Sequence, residues 1–250
     1  MIAIVSSMCL LLGAVIRAAR YFTELQQSNG YAARRAFGPP SPTVALLLWM
    51  VLVAASVQVA AQTEAQTLPQ RDESAGKRVA SFLAGAAIGL GTHEAGHVVA
   101  NLALGEKPGL RKVDFHGVPF FAITHSSGLP RRKEFVISSA GFWVQHAENE
   151  WLLHRRPQLR RERAPLAKGV FAFNVLASVA YAGAAFGKTG PVERDTRGMA
   201  ASARVDERLI GALILAPALL DAWRYFHPDA KWAAWTSRGV KVGMVVMVVR

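Results

Sequence analysis

Helix-length apolar runs separated by short basic stretches are the feature that most restricts how this chain can fold. Such runs cover residues 43–61, 169–186 and 209–226, and a loop with six basic residues and one acid covers 154–168. Apolar residues make up 52% of the 250 residues and charged ones only 18%, which favours a multi-span membrane protein over a soluble globule. The net charge of +12 is concentrated in such loops, as the positive-inside rule expects, and no nucleic-acid recognition motif accompanies it. We therefore expect a lipid bilayer as a partner, and no nucleic acid.

The N-terminal region, residues 1–76, consists of two apolar segments and a polar linker that contains Pro69. The segment at 43–61 has two interpretations, because Arg34 and Arg35 precede it and small residues follow its apolar centre. It is either a secretory signal or a transmembrane anchor, and both alternatives stay open. Residues 77–250 are expected to form a separate, membrane-embedded domain.

Within residues 77–250 the pattern predicts a mainly helical fold. We expect helices over 77–104, 133–153, 169–186 and 209–226, because each stretch has helical length and apolar content. Glycines, prolines and short β-like runs between 105 and 132 predict one or two hairpin strands. The polar stretch 187–208 carries no predicted element, and the tail from 238 is either a strand or a partial span. The predicted fold class is a multi-span transmembrane helical bundle with a small membrane-associated β-hairpin.

The first of these helices contains "THEAGHVV", with His93, Glu94 and His97 in otherwise apolar surroundings. Residues four apart lie on one face of a helix, so both imidazoles can reach one metal ion at a zinc–nitrogen distance of about 2.0–2.1 Å. Glu94 is next to the first ligand and can take a proton from water activated by the metal. This is the H-E-x-x-H arrangement of zinc peptidases. The chain's one cysteine, Cys9, excludes a cysteine-based zinc site, so further ligands must be His, Asp or Glu.

Glu94 is the only acid between Glu73 and Glu106. An unpaired carboxylate inside a membrane helix is costly, and such residues are usually functional. We therefore expect Zn²⁺ as the cofactor, with Glu94 as the catalytic base and His93 and His97 as metal ligands.

A catalytic zinc ion needs a third protein ligand, and two aspartates compete for that role. Asp221 lies in an apolar helix, where an unpaired charge would cost about 2.5–3.5 kcal/mol, and metal ligation would explain its presence. A salt bridge with the nearby Arg224 is the alternative explanation. Asp195 lies in a polar stretch, where an aspartate is ordinary. Asp221 is preferred and Asp195 stays open; the remaining candidates are His125, His146 and Glu148.

With these residues, the chain resembles the site-2-protease class of intramembrane metalloproteases, the M50-type peptidases. The resemblance rests on "HEAGH" at 93–97, on "VDFHGVPFFAITH" as membrane-associated strands, on "SSAGFWVQHAEN", and on "PALLDAWR". It implies that His93, His97 and Asp221 hold zinc and that Glu94 is the base. Ala222 replaces the glycine that usually follows the family's aspartate, which leaves Asp195 open. "HEAGH" is also similar to the peptidase domain of membrane-bound AAA proteases, but no GxxxxGK[ST] phosphate loop is present, which excludes an ATP-driven version.

The expected function is that of an integral-membrane, zinc-dependent endopeptidase of a bacterial inner (plasma) membrane. It would cleave a membrane protein or peptide substrate in or near the bilayer. The alternative is a catalytically inactive membrane protein that binds metal or acts as a scaffold. A third property, binding of anionic lipid through the basic residues at 155–163, is compatible with either function.

Overall fold

The computed structural model describes residues 74–115 and 118–249, so the segment at 43–61 and its two interpretations lie outside the described residues. Within the described residues the chain forms six helices and one two-stranded antiparallel sheet. In chain order the elements are α1 Ala75–Ala103, β1 Gly109–Phe115, β2 Val118–Thr124, α2 Arg131–Arg155, α3 Pro165–Gly187, α4 Asp195–Ala203, α5 Glu207–Phe226 and α6 Lys231–Val249. The predicted mainly helical fold with a small hairpin is confirmed.

The first helix begins and ends where local chemistry dictates. Ser74 caps α1, and its hydroxyl accepts a hydrogen bond from the backbone N–H of Lys77. The chain leaves the helix through Gly105, whose φ of 75° lies in the left-handed region that glycine adopts without strain. The hairpin follows, with its register running from Gly109 opposite Thr124 to Phe115 opposite Val118, and β2 contacts α1.

One element differs from the expectation, and one of the two alternatives for the tail is excluded. The polar stretch 187–208 contains α4, whose first residue, Asp195, suits the positive end of a helix dipole. This short helix is held by an apolar cluster in which Met199 and Ala200 pack with Phe142 and Ile210. The tail, rich in β-branched residues, forms helix α6 rather than a strand, because packing against α5 overrides the weak local propensity.

Helices α1 and α3 cross at glycines. A Cβ atom at Gly85 would collide with the backbone carbonyl of Leu166, and one at Gly169 would collide with the carbonyl of Phe82. Gly89, one turn further along α1, faces the ring of Phe173. The small residues at four-residue spacing in α1 therefore serve close helix packing.

The central helix is the polar one. Helix α2 contacts each of the other five described helices, yet Gln145, His146, Glu148 and Asn149 on it are all at most 2% exposed. The outer helices carry large apolar side chains that are more than 50% exposed, among them Val79, Leu83, Leu176, Leu219 and Trp235. Buried polar side chains and exposed large apolar ones therefore occur in this fold beside the apolar clusters of its core. Among the described helices, α3 and α5 are long and apolar enough to cross a membrane.

Candidate metal centre

The two histidines of the motif meet at their Nε2 atoms. His93 and His97 lie one turn apart on α1, are 2% and 4% exposed, and bring their Nε2 atoms to 3.2 Å from each other. Their ring planes are inclined by 70°, so the two rings meet edge-on instead of stacking. The arrangement that the spacing predicts on one helix face is present.

Glycines let α2 approach the motif closely enough to bury it. A Cβ atom at Gly141 would lie 2.6 Å from Nδ1 of His93, so only a glycine leaves room for this ring. A Cβ atom at Gly96 would lie 2.8 Å from a methyl group of Val144 and 3.0 Å from the carbonyl oxygen of Ala140. The two helices therefore pack backbone to backbone on either side of the histidines.

The third ligand group comes from α4. Oδ2 of Asp195 lies 3.3 Å from Nε2 of His93 and 3.4 Å from Nε2 of His97. The three atoms form a nearly equilateral triangle, and this group is the candidate metal cluster found among the described residues. Two ligands bound to zinc at about 2.0–2.1 Å in tetrahedral geometry lie about 3.3 Å apart. The donor set and its spacing thus fit a zinc ion that keeps a fourth position for another ligand.

Hydrogen bonding fixes the tautomer of one histidine. Nδ1 of His97 lies 2.8 Å from the carbonyl oxygen of Ile137, which can only accept, so Nδ1 carries the proton. Nε2 of His97 therefore faces His93 and Asp195 and is the nitrogen that would ligate a metal ion. Nδ1 of His93 is buried and has no hydrogen-bond partner in the described part of the chain, so Nε2 makes its only polar contacts.

The carboxylate of Asp195 is set up to be ionised. Burial raises its pKa, but the attraction of His97 and hydrogen bonds with both histidines outweigh burial and hold the pKa well below its usual range. A metal ligand must be deprotonated, and Asp195 is in that state, whereas a metal ion would have to displace any proton shared between Asp195 and the histidines. Glu94 is half-buried beside the group and interacts electrostatically with His93, His97 and Asp195.

Asp221, the preferred third ligand in the sequence analysis, does not belong to this group. Its buried carboxylate lies 2.8 and 2.9 Å from Nζ of Lys241, accepts from the hydroxyl of Ser237 at 2.7 Å, and pairs with Arg224 at 3.2 Å. The correction has a physical reason. The cost of burying the charge of Asp221 in an apolar helix is offset by ion pairs instead of by a metal ion. One of these is the salt bridge with Arg224, which was the alternative explanation for this residue.

The three remaining candidates also lie outside the cluster. His125 pairs with Glu134 at 3.2 Å, and Glu148 accepts a hydrogen bond from Asn174 at 3.0 Å. His146 is 2% exposed, and neither ring nitrogen has a partner among the described residues. Asp195 is therefore the carboxylate that the fold brings to the motif.

Tyr181 on α3 is a contributor that the sequence analysis missed. Its side chain hydrogen-bonds to Asp195, and its ring lies nearly parallel to that of His93 at 5.9 Å between centroids. The same ring meets Phe142 edge-on at 5.0 Å. Tyr181 thus holds one metal-ligand candidate by hydrogen bonding and packs on another. Nothing in its local sequence signals this role, because both partners are distant along the chain.

A cavity of about 410 Å³ opens beside the cluster. His97 and Asp195 line it on one side, and the end of the hairpin, Ile123, Thr124 and His125, lines it on another. An extended segment lying along β2 would therefore reach the candidate metal position.

Comparisons with protein-family models, with curated proteins and with solved structures give no match for this chain.

Proposed function

We propose that this chain is an integral-membrane, zinc-dependent endopeptidase of the H-E-x-x-H type, resembling the site-2-protease class. The observation that carries the proposal is the triangle formed by Nε2 of His93, Nε2 of His97 and Oδ2 of Asp195, with sides of 3.2, 3.3 and 3.4 Å. Two neutral imidazoles and one carboxylate form a typical donor set for catalytic zinc, and Glu94 stands next to it.

The residues of the chain have distinct roles in this mechanism. His93, His97 and Asp195 would hold the metal ion, which when bound would serve as a Lewis acid for the scissile carbonyl and lower the pKa of water. Glu94 accepts the proton of the attacking water and passes it to the leaving amine. His97 is held in the ligating tautomer by the carbonyl of Ile137. The buried surroundings of the histidines exclude bulk water from all but the cavity side.

The hairpin supplies a means of presenting the substrate. A helical segment must unwind before its peptide bond is accessible, and an exposed strand edge can hold it extended by β-addition. β2 pairs with β1 along one edge, and no other described strand covers its second edge. Since Thr124 at the end of β2 lines the cavity beside His97, a peptide added to β2 would be directed at the metal cluster.

The membrane location is supported by the distribution of polarity. Several polar side chains are buried between the helices, where Asn174 hydrogen-bonds to Glu148 and Asn149, and many large apolar side chains are exposed on the outside. Trp223, Trp232 and Trp235 are 46%, 59% and 71% exposed at the turn between α5 and α6, where an aromatic belt would meet the headgroups. We therefore place the bundle in a bilayer, with the bacterial inner (plasma) membrane as the expected location and a membrane protein or peptide as the substrate.

The proposal is tested with full-length protein purified in detergent or nanodiscs. We expect one zinc ion per chain and zinc-dependent cleavage of an unfolded model protein such as casein or of a model transmembrane peptide. E94Q should abolish cleavage and leave zinc bound, because it removes the base and none of the ligands. Cleavage retained by E94Q would rule the mechanism out. Zinc bound by a wild-type protein that cleaves neither substrate would favour the inactive metal-binding alternative.

A further inference from the structure

Glu207, the first residue of α5, is a buried carboxylate that contacts both chain neighbours of Asp195. Its two oxygens accept hydrogen bonds from Nε and Nη2 of Arg194 at 2.6 and 2.7 Å. Oε1 also accepts from the hydroxyl of Thr196 at 2.7 Å. Glu207 is 8% exposed and Thr196 is fully buried, so water does not compete for these bonds. One carboxylate is therefore hydrogen-bonded to the residues immediately before and after Asp195.

These bonds act at the start of α4, ahead of the apolar contacts that Met199 and Ala200 make later in the same helix. Arg194 is the cap residue of α4 and makes no side-chain cap bond, and α4 has only nine residues. Arg194 also donates to the carbonyl oxygens of Pro191 and Gly190 at 3.0 and 3.4 Å, so the preceding loop is tied to the same guanidinium. A two-point arginine–carboxylate bond fixes direction as well as distance. The backbone on both sides of Asp195 is thereby anchored to α5.

We propose that Glu207 is a positioning residue for the metal site: it holds Asp195 at the distance from His93 and His97 that a zinc ion needs. The inference rests on the proposed metal site. His93 and His97 are fixed by one helix, whereas Asp195 comes from a separate short helix, and its placement has to be supplied by contacts beyond the ligands. Residues behind a ligand typically change metal affinity about 10- to 100-fold when they are replaced.

The test measures zinc affinity by chelator competition on the full-length protein in detergent. E207A should lower zinc affinity about 10- to 100-fold, because Arg194 and Thr196 lose their shared acceptor. E207Q should have a smaller effect, since its amide oxygen still accepts from Thr196. The matched control is D206N at the preceding position. Asp206 pairs with Lys188 on the surface, both side chains are 51% exposed, and asparagine can still cap α5. D206N should leave zinc affinity unchanged within about twofold.

A double substitution separates positioning from general destabilisation. If Glu207 acts through Asp195, then E207A should have no further effect on zinc affinity once Asp195 is replaced by alanine. The same fold-loss in the presence and absence of Asp195, or wild-type zinc affinity in E207A, would overturn the inference. T196V gives a second variant of preserved shape if E207A does not fold, and it should lower zinc affinity while D206N does not. A wild-type protein that binds no zinc would defeat the proposed function itself, whereas zinc lost in H97A but kept in E207A would defeat only this inference.

Discussion

Asp221→Asn should destabilise the bundle and leave the metal site intact. Asp221 is fully buried and binds Nζ of Lys241 through both carboxylate oxygens, at 2.8 and 2.9 Å. Removing one partner of a buried ion pair costs about 3–5 kcal/mol, because the other charge is left in an apolar interior. Lys241 keeps a contact with Glu150 at 3.2 Å, so we expect a loss near the lower limit, about 3 kcal/mol.

The assay for this prediction is reversible unfolding of the full-length protein in detergent, with zinc content measured on the same samples. Lys188→Gln is a control that removes an ion pair between exposed side chains, and it should not measurably change stability. Asp221→Asn should retain the wild-type amount of zinc. Unchanged stability would refute the energetic reasoning about the ion-pair network, and loss of zinc at unchanged stability would return Asp221 to the metal site.

Two further predictions concern the surroundings of the histidines. Gly141→Ala should lower zinc affinity about tenfold or more, because the added methyl group displaces the ring of His93. Chelator competition measures this affinity, and an unchanged value would show that the ring can move freely. Tyr181→Phe should lower zinc affinity by about tenfold, since it removes a hydrogen bond to Asp195 and keeps the ring packed on His93. An equal loss in a protein that already lacks Asp195 would show that the hydroxyl acts in another way.

The sequence predicts those features that depend on local spacing. Four-residue periodicity places His93 and His97 on one helix face, and the structure brings their Nε2 atoms to 3.2 Å. Glycines at the same spacing allow another helix to approach closely, and in the structure that helix is α3. The hairpin follows from glycines and prolines that punctuate short β-like runs. Such signals are contained within a few turns of chain, so a single sequence is sufficient to find them.

The identity of the third candidate ligand depends on contacts between distant segments. Asp195 is 102 positions from His93, and its local sequence is that of an ordinary polar loop. Asp221 is conspicuous in the sequence because it interrupts an apolar helix. Its charge is compensated most closely by Lys241, which lies 20 positions away on a helix whose sequence is equally consistent with a strand. The sequence does not reveal the roles of Glu207 and Tyr181, because these roles depend only on the residues that the fold places next to them.

Zinc stoichiometry in D195A and D221A tests the central claim most directly, with X-ray absorption at the zinc edge on the wild-type protein. We predict one zinc ion bound to three protein N/O ligands at about 2.0–2.1 Å. We also predict that D195A lowers zinc affinity by about tenfold or more, whereas D221A binds zinc as the wild type does. Full zinc binding by D195A, or a wild-type protein that takes up no zinc, would contradict the account.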